Sequence, residues 1–322
     1  MKIQITTIAA AVAFAMSTAA FAQFAGSDST IYQDGDRNTN TITQWGTQTS
    51  RVYQEGRGNA TTVSQDDISG VATTQPGQNN SGIDQIGGGN SAGVTQLGAW
   101  NNSTVYQEGF NNDAAVDQDG ATNISVTTQT GLSNNVSATQ NGRLNDSYAY
   151  QQGRNNEATV DQEGFENISV ATQTGFSNDV SVAQGGLFND SYAYQQGYGN
   201  EATITQEGIE NKSVVEEIGS FNEATITQIG NDNDSYAHLN GDHNVANVSQ
   251  NGNSLESTIL ASGNHNTHDV MQSGRGHDSY INTQGSGNVH NVTQSGTFWG
   301  GAHTSSIVTY GHGNLNTVSQ GH

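Results

Sequence analysis

The chain has 322 residues, of which 32% are hydrophobic, with 40 glycines, one proline and no cysteine. Thirty acidic against eight basic residues give a net charge of -22, which excludes the cationic surface that nucleic-acid binding needs. Without cysteine there are no disulfides and no thiolate metal sites.

The N-terminus comes first. Lys2 precedes an apolar run from Ile8 to Phe14, and the segment closes on Ala20, Phe21 and Ala22. This reads as a secretory signal peptide over residues 1–22, cut after Ala22, because the run is too short for the roughly 20 residues that cross a bilayer. No later segment is apolar enough to span one, so no transmembrane segment is expected. Residues 23–28 form a short linker. From residue 29 to 322 the chain is repetitive: irregular units over 29–85, a regular period over 86–296 and a small insertion near 297–304. Low hydrophobicity with high charge ordinarily signals disorder, but strict periodicity argues for order here.

The repeat is marked by a glutamine column that starts at Gln33, Gln44, Gln54, Gln65, Gln75 and Gln85. Spacing is an unbroken 11 from Gln85 to Gln294, and counting to Gln320 gives 27 units, 22 of them with Gln at this position. Two residues further on stands Gly in 25 units, and five further on usually Asn. In the regular part the glutamines are Gln107, Gln118, Gln129, Gln140, Gln151, Gln162, Gln173, Gln184, Gln195 and Gln206. The asparagines are Asn112, Asn123, Asn134, Asn145, Asn156, Asn167, Asn178, Asn189, Asn200 and Asn211. The glycines are Gly109, Gly120, Gly131, Gly142, Gly153, Gly164, Gly175, Gly186, Gly197 and Gly208.

Each unit predicts one strand and one turn. Positions that recur within a unit lie two apart, as at Asn200, Ala202, Ile204 and Gln206, which lines one face of a pleated segment. The stretch Gln75-Pro76-Gly77-Gln78 fits a type II turn with Gly where φ must be positive. The glycine column is then a backbone requirement.

The structural rung is two units long. Four residues before each Gln, serine recurs every 22 residues from Ser103 to Ser279, while intervening units carry Ala or Val, as at Ala158 and Val180. Alternate strands therefore belong to different sheets. The expected fold is all-β: a β-solenoid of 22-residue strand-turn-strand rungs forming two stacked, parallel, in-register sheets of cross-β type. About 13 rungs would span roughly 60 Å. Inside, Gln and Asn would stack into ladders, because an unpartnered buried amide costs about 1–3 kcal/mol.

The unit Asn200-x-Ala202-x-Ile204-x-Gln206-x-Gly208-x-x-Asn211 closely resembles the curlin repeat of curli fibre subunits. The resemblance runs from about Ser29 to the C-terminus. It implies a secreted, extracellular structural subunit of a Gram-negative type bacterium that polymerises into amyloid fibres for biofilm matrix and adhesion. The implied partners are other copies of itself, a nucleator subunit and a curli-type secretion system. A monomeric secreted β-solenoid adhesin and a minor nucleator subunit are the alternatives.

Several positions break the pattern. Gln129, Gln151, Gln173 and Gln195 are followed at the same interval by Glu217, Leu239, Ala261 and Thr283, which leaves two readings open: drift in a tolerant repeat, or loss of one ladder that weakens the C-terminal rungs and slows premature assembly. All nine histidines lie from His238 onward, and His243 with His265, and His268 with His290, are 22 apart. Stacked rungs would bring each pair within roughly 5 Å, leaving metal binding, a pH switch and ordinary repeat variation all open. Tyr148, Tyr150, Tyr192 and Tyr194 point outward, either as strand formers or as a lateral surface. No irregular cluster suggests catalysis, a cofactor or a metal centre, so the chain reads as a non-enzyme.

Overall fold

The computed structural model describes residues 26–67, 78–296 and 301–321. The leader, the first part of the linker, Gln75-Pro76-Gly77 and Phe298-Trp299-Gly300 lie outside the described residues. Twenty-six strands follow one another, from β1 (Asp28–Asp36) and β2 (Thr39–Gln44) to β25 (Thr304–His312) and β26 (Leu315–Gly321). The odd-numbered strands form one 13-stranded sheet and the even-numbered strands another. All pairings are parallel, and in the regular part like stands on like: Ser147 on Ser169, Gln151 on Gln173, Gly153 on Gly175. The described residues form a β-solenoid of 13 rungs.

The two-residue alternation produces this directly. In β11 (Asp146–Arg154), Ser147, Ala149 and Gln151 are buried while Tyr150 and Gln152 are exposed. Inward Val, Ile and Ala from both sheets form the apolar core, in one cluster from Val52 to Val116 and another from Val136 to Ile307. Between the clusters sits Thr127, whose buried Oγ1 has no partner. It stacks on Val105 and Ala149 of the neighbouring rungs.

Strands run longer than the alternation suggests. Each regular strand has nine residues and includes the column glycine and the residue after it, so only two residues remain for the turn, Gly199 and Asn200 after β15 (Asp190–Tyr198). Pairing continues through the bend because each corner meets an identical corner, Gly197 on Gly219. Gly197 has φ 130°, and a β-carbon there would collide with the carbonyl oxygen of Gly219. The next-but-one residue is also left-handed without being glycine in most rungs, as at Ser133, Asn155 and Phe188 with φ of 55°, 55° and 58°. That second position carries no sequence signature.

Of the 27 units counted in the sequence, the one at Gln75 lies outside the described residues. The described residues hold 26 strands, and Gln54 of β3 (Thr49–Arg57) pairs with Gln85 of β5 (Asn80–Gly88), 31 residues on. Likewise Gln65 pairs with Gln96. The ladders thus pass from Gln54 and Gln65 to Gln85 and Gln96. At the other end Ser279 pairs with Ser305 at an interval of 26, four more than the regular 22.

Candidate functional site

The polar interior is the chemically distinctive part of the molecule. In the odd-numbered sheet Gln107 Nε2 donates to Gln129 Oε1 at 2.8 Å, and the chain continues through Gln151 and Gln173 to Gln195 at 2.8–3.0 Å. The even-numbered sheet repeats this through Gln118, Gln140, Gln162, Gln184 and Gln206. Each Nε2 has a second acceptor in the backbone carbonyl 16 residues earlier, for example Gln173 to Glu157 O at 2.7 Å. Both amide protons are therefore used, which is what makes a buried glutamine affordable.

Asparagines line the two corners. Asn134 Oδ1 accepts from the backbone N–H of Asn156 at 3.2 Å and from its Nδ2 at 3.1 Å. Asn156 Nδ2 also donates to the carbonyl of Gly175 at 3.1 Å. Asn112, Asn134, Asn156, Asn178 and Asn200 stack at one corner. At the other, backbone N–H bonds link Asn123, Asn145, Asn167, Asn189 and Asn211. The corner glycines Gly109, Gly120, Gly131, Gly142, Gly153, Gly164, Gly175, Gly186, Gly197 and Gly208 all have positive φ. The regular-part columns, from Gln107 to Gln206, Asn112 to Asn211 and Gly109 to Gly208, occupy these ladder and corner positions.

Facing residues across the core are seven apart in sequence: Gln54 Nε2 donates to Thr61 Oγ1, Gln206 Nε2 to Ser213 Oγ, and Asn316 Nδ2 to Thr309 Oγ1. The same offset sets Gln195 against Ala202, Glu217 against Ala224 and Leu239 against Ala246. Beyond these the sizes reverse. Ala261 faces His268, Thr283 faces His290 and Thr309 faces Asn316. The bulky polar residue has changed sheets, so interior volume is conserved as the first glutamine ladder ends. Sequence reading missed this compensation because it shows only when the two sheets are superposed at the offset of seven.

Glu217 stands where the ladder ends. Gln195 Nε2 donates to its Oε2 at 2.7 Å, its Oε1 has no partner, and burial pushes its carboxyl well above the usual range. The next residue in the column is Leu239.

The histidine pairs are stacked. Ring centroids are 4.9 Å apart for His243 and His265, 5.2 Å for His268 and His290, and 5.0 Å for His277 and His303, a pair hidden from the sequence count by the 26-residue interval. His268 is fully buried with neither ring nitrogen partnered, and burial, reinforced by His290, lowers its pKa to about 3. Near-parallel rings aim their lone pairs side by side rather than at a common point. Among the described residues no three His, Asp or Glu are placed to hold a metal ion. His277 replaces a corner asparagine atom for atom: its Nδ1 accepts from His303 N at 3.1 Å and its Nε2 lies 3.1 Å from Ser273 O.

Parallel rungs with continuous amide ladders define a cross-β solenoid. The sequence matches the curlin associated repeat over residues 89–120, 131–164, 153–186 and 175–208. These four matches support a curlin-repeat protein, with curlin repeats over residues 89–120 and 131–208. No curated protein matches it. Among the described residues no helix is long and apolar enough to cross a membrane.

Proposed function

We propose that this protein is a secreted, non-enzymatic structural subunit that assembles end to end into extracellular, curli-like amyloid fibres. The observation that carries this reading is the state of the two terminal rungs. Among the described residues nothing pairs with the outer edges of β1 and β2 or of β25 and β26. At the β1 end the inward residues are uncovered: Ile31 is 37% exposed, against 0–1% for its counterparts Val52, Ile83 and Val105. At the other end the inward residues of β26 are half-buried, while Ser305, Ile307 and Thr309 of β25 stay buried.

The interior supplies the joining chemistry. Gln320 accepts from Gln294 and donates to Thr304 O, which leaves one Nε2 proton directed along the axis. Gln44 donates to Gln65, and its Oε1 is the acceptor position facing the opposite way. Docking β26 on the β2 of another copy continues the even-numbered glutamine ladder, and β25 on β1 continues the other sheet. Open edges of this kind template strand addition. Residues 1–22 direct export and residues 29–322 form the fibre repeat, with a nucleator and a curli-type secretion system as partners and a cell-surface location. Fibre formation serves biofilm matrix and adhesion in this reading.

The test is to incubate the mature protein and follow thioflavin fluorescence with electron microscopy. Unbranched fibres that seed fresh monomer are expected. Persistent monomers with β-rich circular dichroism would instead make it a monomeric adhesin.

A further inference from the structure

The outer faces of the two sheets differ in a way that end-to-end assembly does not use. On the even-numbered sheet, β8 (Asp113–Ala121) exposes Asp113, Asp117 and Asp119, and β12 (Glu157–Phe165) exposes Glu157, Asp161 and Glu163. Asp179, Glu201 and Glu223 continue the column begun by Glu157, one per rung. Burial, with a lesser contribution from Glu157 and Glu201 on either side, raises the Asp179 pKa. Two such faces cannot approach each other at neutral pH.

The odd-numbered sheet is different between β9 (Ile124–Leu132) and β15. Strand β11 raises Tyr148 and Tyr150, and β15 raises Tyr192 and Tyr194. The strands between carry small or β-branched residues in the same columns: Val126 and Thr128 on β9, Val170 and Thr172 on β13 (Ile168–Phe176). Tyrosine ridges two rungs apart, roughly 9.6 Å, thus alternate with valleys of the same width. A shallow depression straddles the β11 ridge, lined by Thr128, Thr130, Tyr150, Gln152, Thr172 and Thr174. Asp146 and Asp190 lie at the rim. Charge closes the patch at both ends, with Glu108 on one side and Lys212 and Glu216 on the other.

We infer that this tyrosine-ridged face is a lateral docking surface for the same face of a second copy. A two-fold screw along the solenoid axis with a shift of one rung exchanges the two outer columns. It sets Tyr148 of each copy against the Thr128 and Thr172 column of the other, and Tyr150 against Val126 and Val170. Ridge then fills valley as in any sheet-on-sheet contact about 10 Å thick. The acidic faces remain outward and hold the assembly to a pair.

Size decides when pairing occurs. Four strands by about 20 Å of strand give roughly 400 Å² per subunit, or about 800 Å² for a pair, short of the roughly 1,000 Å² that a stable isolated contact needs. Stacked subunits repeat the patch, so lateral pairing is a property of fibres and rests on the fibre reading above. Free solenoids stay single.

The variant that tests it gives Tyr148→Val, Tyr150→Thr, Tyr192→Val and Tyr194→Thr, residues that adjacent rungs already carry in those columns. Fibre width is read by electron microscopy and elongation by thioflavin fluorescence. The wild type is expected to form paired filaments and the variant single ones of about half the width, with elongation rates within about twofold. Equal widths in both proteins would overturn the lateral surface while leaving end-to-end assembly intact. A wild type that forms no fibres at all would sink both readings, and a variant that neither folds nor elongates would show the tyrosines to be structural. A second variant, Glu157→Gln, Asp161→Asn and Glu163→Gln, keeps the tyrosines and is expected to widen fibres beyond pairs by removing the outer repulsion.

Discussion

Gln195 donates its side-chain hydrogen bond to Glu217 at 2.7 Å, and Glu217 has no amide proton with which to extend the ladder. Earlier glutamines in the column send Nε2 to the carbonyl 16 residues back, as Gln195 does to Asp179 at 2.8 Å, and the corresponding carbonyl for residue 217 is that of Glu201. Glu217→Gln therefore supplies a missing donor and removes a buried acid. Stability is expected to rise by about 1–3 kcal/mol at pH 7. Because the folded-state pKa is raised above the ordinary 4.5, the Glu217 contribution is full below pH 4.5 and is lost as pH rises through the folded value. The gain from the substitution should shrink toward zero below pH 4.5, as chemical denaturation at several pH values would show.

Leu239 faces Ala246, whereas Ala261 faces His268, so the C-terminal positions without glutamine are not equivalent. Restoring the amide at 217 and 239 meets a facing alanine in each case. Ala261→Gln instead drives an amide into a fully buried imidazole and is expected to destabilise by about 1–3 kcal/mol. Combining it with His268→Ala recreates the pair found at Gln195 and Ala202. Thermal unfolding of the four members of this cycle should give a coupling of about 1–3 kcal/mol in favour of the double variant; additive losses would show that the two residues do not share one space.

The strand, the inward glutamine and the corner glycine are all local features, which is why they can be read from the chain alone. Alternation at Asn200, Ala202, Ile204 and Gln206 fixes which side chains turn inward, and inversion of any of them would expose the core. What could not be read is non-local. Strand pairing joins Gln54 directly to Gln85, 31 residues on, where the regular interval is 22. The exchange of bulk between Ala261 and His268 depends on which columns face each other. His277 and His303 are brought together across an interval of 26 rather than 22, so the insertion had to be carried into the histidine spacing before the pair could be seen.

His268 sets the acid limit of the C-terminal rungs. Its folded-state pKa is lowered to about 3 from an ordinary 6.5, so the unfolded chain binds the proton first as pH falls. The stability it contributes is full above pH 6.5, declines below it and is gone near pH 3, a span worth on the order of 4 kcal/mol. His277 and His290, also lowered by burial, act in the same direction. Hydrogen-exchange protection factors, corrected for the slowing of intrinsic exchange with falling pH, should drop between pH 6 and 4 in the strands around residues 245–295 ahead of those around residues 102–200. His268→Asn, the residue already present at the equivalent position 316, should remove much of that difference; an unchanged pH profile would place the acid sensitivity elsewhere.

The corner glycines separate two kinds of positive-φ position. Gly153 has φ 130°, a conformation that residues with a β-carbon avoid, and a β-carbon there would strike the carbonyl oxygen of Gly175. That carbonyl also accepts from Asn156 Nδ2 at 3.1 Å, so it cannot move aside without breaking the corner ladder. Gly153→Ala is expected to cost about 3 kcal/mol or more, with the loss shared between strain and the broken bond. Gly287 has φ 68° and open space around the same point, and Asn155 holds φ 55° at the matching place in another rung. Gly287→Asn should change stability by less than about 1 kcal/mol. Urea denaturation of the two variants side by side decides the matter: comparable losses would mean that backbone conformation alone, rather than contact with the next rung, keeps glycine at the corner.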